Sequence, residues 1–255
     1  MIPRPENPLV VALDVSDLDE AERLATDLSP HTGMLKVGFE LFWAYGPEAV
    51  RRIASHAPVF ADAKLHDIPN TVERASANIA RLGVAMFNVH ALGGEAMMRA
   101  ARDGAERGAA DAGHPTPLVI AVTVLTSMNA RALEETGQGS SAPARVDLPT
   151  YAGVETVVLE QVVRLAQLAR SAGLDGVVAS AQETAAIRRE CGPDFAIVTP
   201  GIRAGGPDRA AKDDQERTMT ASQAIAAGAT YIVVGRPVIA AADPRAAAEL
   251  LIVDC

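Results

Sequence analysis

Asp62, Lys64 and Asp67 stand in one short run, Phe60-Ala61-Asp62-Ala63-Lys64-Leu65-His66-Asp67-Ile68-Pro69-Asn70-Thr71. Side chains alternate along an extended strand, so Asp62 and Lys64 are expected on one face and Ala61, Ala63 and Leu65 on the other, with Asp67 just beyond the strand. A lysine set between carboxylates is held as a cation and can deliver a proton. The plainer role for such a cluster is an ion pair that closes a core, but desolvation makes buried charge a poor device for stability alone. His66 stands inside the run and His90 lies well beyond it. His90 shares a strand face with Asn88 and fits a hydrogen-bonded core layer better than a catalyst, and no His, Cys, Asp or Glu grouping has metal-ligand spacing. No metal is expected.

The elements that must position these residues read as repeated βα units. Eight short apolar runs rich in β-branched residues occupy residues 9–15, 34–39, 59–65, 86–91, 118–125, 176–180, 195–202 and 231–236, each followed by a segment with helical spacing. In the first such segment Ser16 and Asp17 are candidate N-caps, and Leu18, Ala21, Leu24, Ala25 and Leu28 share a face. Val72, Ala75, Ile79 and Leu82 repeat in the same way behind Pro69 and Asn70, with Gly83 as the stop. Eight units predict a closed (β/α)8 barrel, the TIM-barrel class of α/β fold, as a single domain over residues 1–255.

Active sites of such barrels are built at the C-terminal ends of the strands, so the charged pair should face the interior at the mouth while Ala and Leu pack outward on helices. Other polar residues end strands in the same way: Asp14 on the first, Lys36 within the second, Thr126 and Ser127 after the fifth, Arg203 after the seventh and Arg236 after the eighth. Gly235-Arg236-Pro237 has the makings of a phosphate grip, because glycine lets the backbone approach an oxyanion and arginine supplies a two-pronged donor. Gly201-Ile202-Arg203 adds a Gly-x-Arg at the same rim. A small phosphorylated substrate is expected. Residues 129–150 and 204–217 break the strand-helix rhythm after strands five and seven and read as polar loops, either covering a ligand at that rim or carried as surface insertions.

Composition narrows the partners. A formal charge of -9 and the absence of any basic run oppose binding to nucleic acid or an anionic membrane surface. Cys191 and Cys255 are far apart and form no CxxC, which fits a reducing cytoplasm without disulfides. The first eight residues are polar and proline-rich, and no apolar run reaches the roughly 18 residues of a membrane span.

The run Asp62-Ala63-Lys64-Leu65-His66-Asp67-Ile68-Pro69-Asn70-Thr71 resembles the signature of the orotidine 5′-phosphate decarboxylase family, bacterial branch. Further segments resemble that family in the same order: Ala12-Leu13-Asp14, Lys36-Val37-Gly38, Asn88-Val89-His90-Ala91, Thr123-Val124-Leu125-Thr126-Ser127, Pro200-Gly201-Ile202-Arg203 and Val234-Gly235-Arg236. The resemblance covers essentially the whole chain. It implies a cofactor-free decarboxylation of orotidine 5′-phosphate to UMP in pyrimidine synthesis, with Lys64 protonating C6 and Asp62 beside the substrate carboxylate. It implies a homodimer in which Asp67, Ile68 and Thr71 reach the partner's site. Asp14 and Lys36 would contact the ribose, Thr126 the pyrimidine edge, and Gly235 with Arg236 the phosphate, while Arg203 and Gln215 match a ligand-closing loop. A magnesium-dependent sugar-phosphate decarboxylase or aldolase of the same superfamily shares Asp-x-Lys-x-x-Asp; the Ile68-Pro69-Asn70-Thr71 and Gly201-Ile202-Arg203 runs fit the orotidylate enzymes better.

Overall fold

A computed structural model describes residues 5–138, 156–203 and 219–253. Eight parallel strands close into a barrel: β1 (Leu9–Ala12), β2 (Met34–Val37), β3 (Val59–Leu65), β4 (Met86–His90), β5 (Leu118–Val122), β6 (Gly176–Val178), β7 (Ala196–Thr199) and β8 (Tyr231–Val234). Each strand pairs with its sequence neighbours, and β8 returns to β1 through Leu9 opposite Ile232 and Val11 opposite Val234. The expected barrel is present with the expected eight strands. Most strands are shorter at their C-terminal ends than the apolar runs suggested, because the last residues of each run leave the ladder to line the mouth.

The inward faces explain the closure. Val10, Ala12, Met34, Phe60, Met86, Ile120, Val198, Tyr231 and Val233 form one buried cluster that fills the barrel, while the outward residues join the larger core shared with the helices. Following those inward positions toward the mouth by steps of two reaches Asp14 just past β1, Lys36 on β2, Asp62 on β3 and Asn88 on β4. The strands therefore change from apolar to polar along a single face.

The helices obey the spacing in the sequence. Helix α1 (Leu18–Leu28) is capped by Asp17, whose carboxylate accepts from the Glu20 N–H at 2.8 Å, and buries Leu18, Ala21, Ala25 and Leu28. Behind the charged strands, α2 (Pro69–Ala80) follows β3 and α3 (Gly94–Ala112) follows β4. These two touch at backbone distance, since a Cβ at Gly104 would lie 2.1 Å from the Glu73 carbonyl oxygen and one at Gly108 equally close to that of Ala77. Residues 129–150, read as loop, are partly helical: Asn129 caps a short helix at Ala130–Glu135 by accepting from the Ala132 N–H. Residues 139–150 and 204–217 lie outside the described residues, as does Cys255. Cys191 is a buried free thiol that burial pushes up to about 11, which leaves it inert. Among the described residues no helix is long and apolar enough to cross a membrane.

On the opposite rim, Arg188 donates to the carbonyls of Gly192, Pro193, Phe195 and Gly228 and to the Thr230 hydroxyl. It ties the end of one helix to the starts of β7 and β8.

Candidate active site

Asp14, Lys36, Asp62 and Lys64 form an alternating ion chain across the first three strands. Lys36 Nζ lies 3.1 Å from Asp14 Oδ1 and 3.2 Å from Asp62 Oδ2, and Lys64 Nζ lies 2.5 Å from Asp62 Oδ1. Asn88 Nδ2 donates to the same Asp62 oxygen at 2.7 Å. The side chains of Lys36 and Asp62 are only 11% and 12% exposed. Burial alone would raise the Asp62 carboxyl, but Lys36 and Lys64, with the hydrogen bonds from Lys64 and Asn88, outweigh it and hold the group below the ordinary carboxylate range. Burial likewise opposes the charge on Lys36, and Asp62 and Asp14 reverse that, raising it above the ordinary lysine value. Asp62 and Lys36 are therefore charged at neutral pH.

Lys64 reaches this chain by a route that simple alternation does not contain. Its φ of 45° is in the left-handed region, alone among the described non-glycine residues, and the pairing of β3 with β4 slips between Ala61 and Leu65. Its N–H is taken by Asn88 Oδ1 at 2.7 Å. Its ammonium lies 5.2 Å from the centre of the Phe39 ring, a cation–π contact from the helix after β2. Strained backbone held at a charged cluster is where function concentrates.

These groups line a mouth cavity of about 560 Å³ that also contains Thr126, Gly201, Gly235 and Arg236. Val122, Val178, Val198 and Val233 wall its far side. Gly38 and Gly235 leave room for the charged groups: a Cβ at Gly38 would lie 3.0 Å from Lys36 Nζ and one at Gly235 would lie 3.3 Å from Asp14 Oδ2, so a side chain at either position would press on the ion chain. Asp14, Lys36, Asp62, Lys64, Thr126, Gly235 and Arg236 are thus brought together as expected from the sequence. Asp67, Ile68 and Thr71 are not: all three are exposed beyond the end of β3, and Asp67 accepts from the Ile68 N–H at 2.7 Å. Among the described residues the ion chain runs from Lys64 toward Asp14 and does not include Asp67. The Arg203 backbone pairs with Thr220, while its side chain and Gln215 lie outside the described residues.

Three contributors were not singled out from the sequence. Asn88 was placed only as a neighbour of His90, although its even spacing from Met86 marks it as inward. Glu40 lines the cavity and accepts from the Ser16 hydroxyl. Phe39 sets its ring against the Lys64 ammonium. His90 stacks on His66 with ring centres 5.6 Å apart, and burial, then the His66 and Lys64 charges, lowers it below the ordinary histidine range, in keeping with a neutral rim residue.

Comparison with known proteins follows the same geometry. A family model described as orotidine 5′-phosphate decarboxylase / HUMPS family matches residues 7–251. An orotidine 5′-phosphate decarboxylase of Moorella thermoacetica is 51% identical over 244 residues, covering 95% of this chain and 90% of the relative. One from Geotalea daltonii is 46% identical over 254 residues, covering 96% and 95%. The crystal structure of orotidine 5′-phosphate decarboxylase from Lactobacillus acidophilus is similar with a TM-score of 0.79 at 35% identity, covering 98% of this chain and 99% of that one. The family match begins before β1 and ends after β8, taking in every strand that carries a polar mouth residue, so the chain belongs to the orotidine 5′-phosphate decarboxylase / HUMPS family.

Proposed function

We propose that this chain decarboxylates orotidine 5′-phosphate to UMP and carbon dioxide in pyrimidine synthesis, without a cofactor, as one catalytic domain in the cytoplasm. The observation that carries the reading is the ion chain ending on Lys64 at an apolar-walled mouth, with Gly235 and Arg236 on the same cavity. Direct loss of carbon dioxide breaks the bond from C6 to the carboxylate and leaves the electron pair in an sp2 orbital at C6. The Lys64 ammonium meets that pair, first as a fixed positive charge and then by transferring a proton to C6, and the neutral amine regains its proton from solvent. Preorganised charge of this kind acts without reorganisation cost at the moment of reaction. Asp62, kept ionised by Lys36 and Lys64, stands beside the substrate carboxylate. At ~4 Å and an effective dielectric of 20 such a pair repels by about 4 kcal/mol, relieved as carbon dioxide departs.

In this reading Asp14 and Lys36 hold the ribose hydroxyls, Thr126 the pyrimidine edge, and Gly235 with Arg236 the phosphate, with Arg203 and Gln215 on the closing loop. Rate enhancement exceeds what one ion pair supplies, so the phosphate grip contributes binding energy that aligns the reacting end. The second half of the charge pattern comes from another copy: Asp67, Ile68 and Thr71 enter the partner's site in a homodimer. Support comes from large apolar side chains left exposed after β2, β3 and β4, namely Phe39, Trp43 at 79%, Ile68 at 66% and Leu92.

The test is the fall in ultraviolet absorbance when orotidine 5′-phosphate is added to the purified protein, run with and without a chelator. Turnover that a chelator leaves intact is expected. Folded protein that leaves the substrate unchanged would sink the proposal, and activity lost to the chelator and restored by magnesium would favour a metal-dependent member of the superfamily.

A further inference from the structure

Asn88 is 1% exposed and sits between the two groups on which the proposed chemistry depends. Its Oδ1 accepts from the Lys64 backbone N–H at 2.7 Å, and its Nδ2 donates to Asp62 Oδ1 at 2.7 Å. A backbone N–H can only donate and an ionised carboxylate can only accept, so both ends of the amide are fixed in one orientation. The N–H it holds belongs to the residue with φ 45°, where the β3–β4 ladder has slipped. The oxygen it holds is also the one that Lys64 Nζ approaches at 2.5 Å. Asn88 therefore spans the lysine at its backbone and, through Asp62, at its ammonium. An ionised aspartate in its place could accept but not donate, and leucine could do neither.

We propose that Asn88 is a positioning residue that holds the strained Lys64 backbone and the Asp62 carboxylate in one frame, so that β4 sets where the ammonium stands. Lysine carries its charge on a flexible four-carbon stem, and anchoring both ends removes that freedom. The inference rests on the decarboxylase reading for its kinetic consequence and on geometry alone for its electrostatic one. The charged and titratable groups around Asp62 are Lys36 from β2 and Lys64 from β3, with Asp14, just past β1, behind Lys36 and His66 and His90 at the rim.

The experiment compares full-length wild type with Asn88→Leu and Asn88→Asp by kcat and KM for orotidine 5′-phosphate, UMP affinity by calorimetry, and carbon-13 NMR titration of the Asp62 carboxyl. For Asn88→Leu we expect kcat to fall about 100-fold while UMP affinity stays within about threefold, since the phosphate grip is untouched. The Asp62 titration and the acid limb of kcat/KM both move to higher pH, because the charged carboxylate has lost a donor. Asn88→Asp moves them further by adding a like charge. If Asn88→Leu does not fold, the smaller Asn88→Ala, which also can neither donate nor accept, carries the same measurements. A kcat within threefold of wild type, or an equal loss of kcat and UMP affinity with Asp62 titrating unchanged, overturns the proposal. Wild type that leaves orotidine 5′-phosphate intact sinks the decarboxylase reading instead, and the Asp62 titration then decides the frame by itself.

Discussion

Toward the mouth, the inward side chains of the first half of the barrel are Asp14 just past β1, Lys36 of β2, Asp62 of β3 and Asn88 of β4, whereas those of β5 to β8 are Val122, Val178, Val198 and Val233. The charged half is set before any ligand arrives, because each of its groups already has a partner within the chain. The apolar half offers shape and a low-dielectric wall, which strengthens the field that the charged half projects across the cavity. Its polar contributions come after the strands, from Thr126, Gly235 and Arg236. The contrast separates two tasks: the charged network is fixed by partners within the first half of the barrel, and the groups proposed to hold the base edge and the phosphate stand on segments that follow the strands of the second half.

The largest break in this division is Lys64→Ala. It removes the terminal cation, and kcat should fall by about 10⁴-fold or more with UMP binding largely kept, as single-turnover and calorimetric measurements would show. Next comes Asp62→Asn, expected to lower kcat about 10³-fold by loosening both lysines. It also changes stability with pH. Asp62 titrates below the ordinary carboxylate range, so its contribution is complete above about pH 4 and is lost as pH falls through its lower folded value. Lys36 titrates above its ordinary value, so its contribution is complete below about pH 10 and is lost as pH rises through its higher folded value. The asparagine should flatten the acid side of the unfolding curve and bring the alkaline side in earlier; an unaltered curve would remove the ion chain from the stability of the fold.

Arg236→Ala acts on the gripping side and should cost about 10²-fold in kcat/KM. Orotidine lacking the phosphate should lose turnover as well as affinity; full turnover at saturation would show that the grip binds without aligning. The smallest effect on chemistry is expected from Arg188→Ala on the opposite rim. Leaving the part-buried carbonyls of Gly192, Phe195 and Gly228 short of a donor should destabilise the fold by roughly 1–3 kcal/mol, with kcat per folded molecule unchanged. A fall in kcat without a fall in melting temperature would place that rim in the catalytic frame after all.

The division was partly legible in the residues themselves. β-Branched runs marked all eight strands, and period-two alternation from Val10, Met34 and Phe60 leads directly to Asp14, Lys36 and Asp62. Lys64 was assigned to the right face, but its left-handed backbone was invisible, because it is enforced by Asn88 across the β3–β4 register rather than by local sequence. Asn88 itself looks like any satisfied polar residue in a strand until that register is known. The short helix Ala130–Glu135 escaped notice because six residues carry little periodicity. Asp67 stands in the same motif as Asp62 and Lys64 yet lies outside their ion chain among the described residues, and no spacing rule separates a group that closes a site within its own chain from one proposed to reach a second copy.

That last point makes subunit mixing the most direct test of whether the charged half of each mouth is finished by a second copy. Lys64→Ala and Asp67→Ala chains, each inactive alone, are mixed under conditions of proven subunit exchange. Random exchange in a two-fold dimer should restore about a quarter of wild-type activity, from one intact site per heterodimer. No recovered activity despite exchange would contradict a shared site and return the whole reaction to the Asp14–Lys36–Asp62–Lys64 chain of a single subunit.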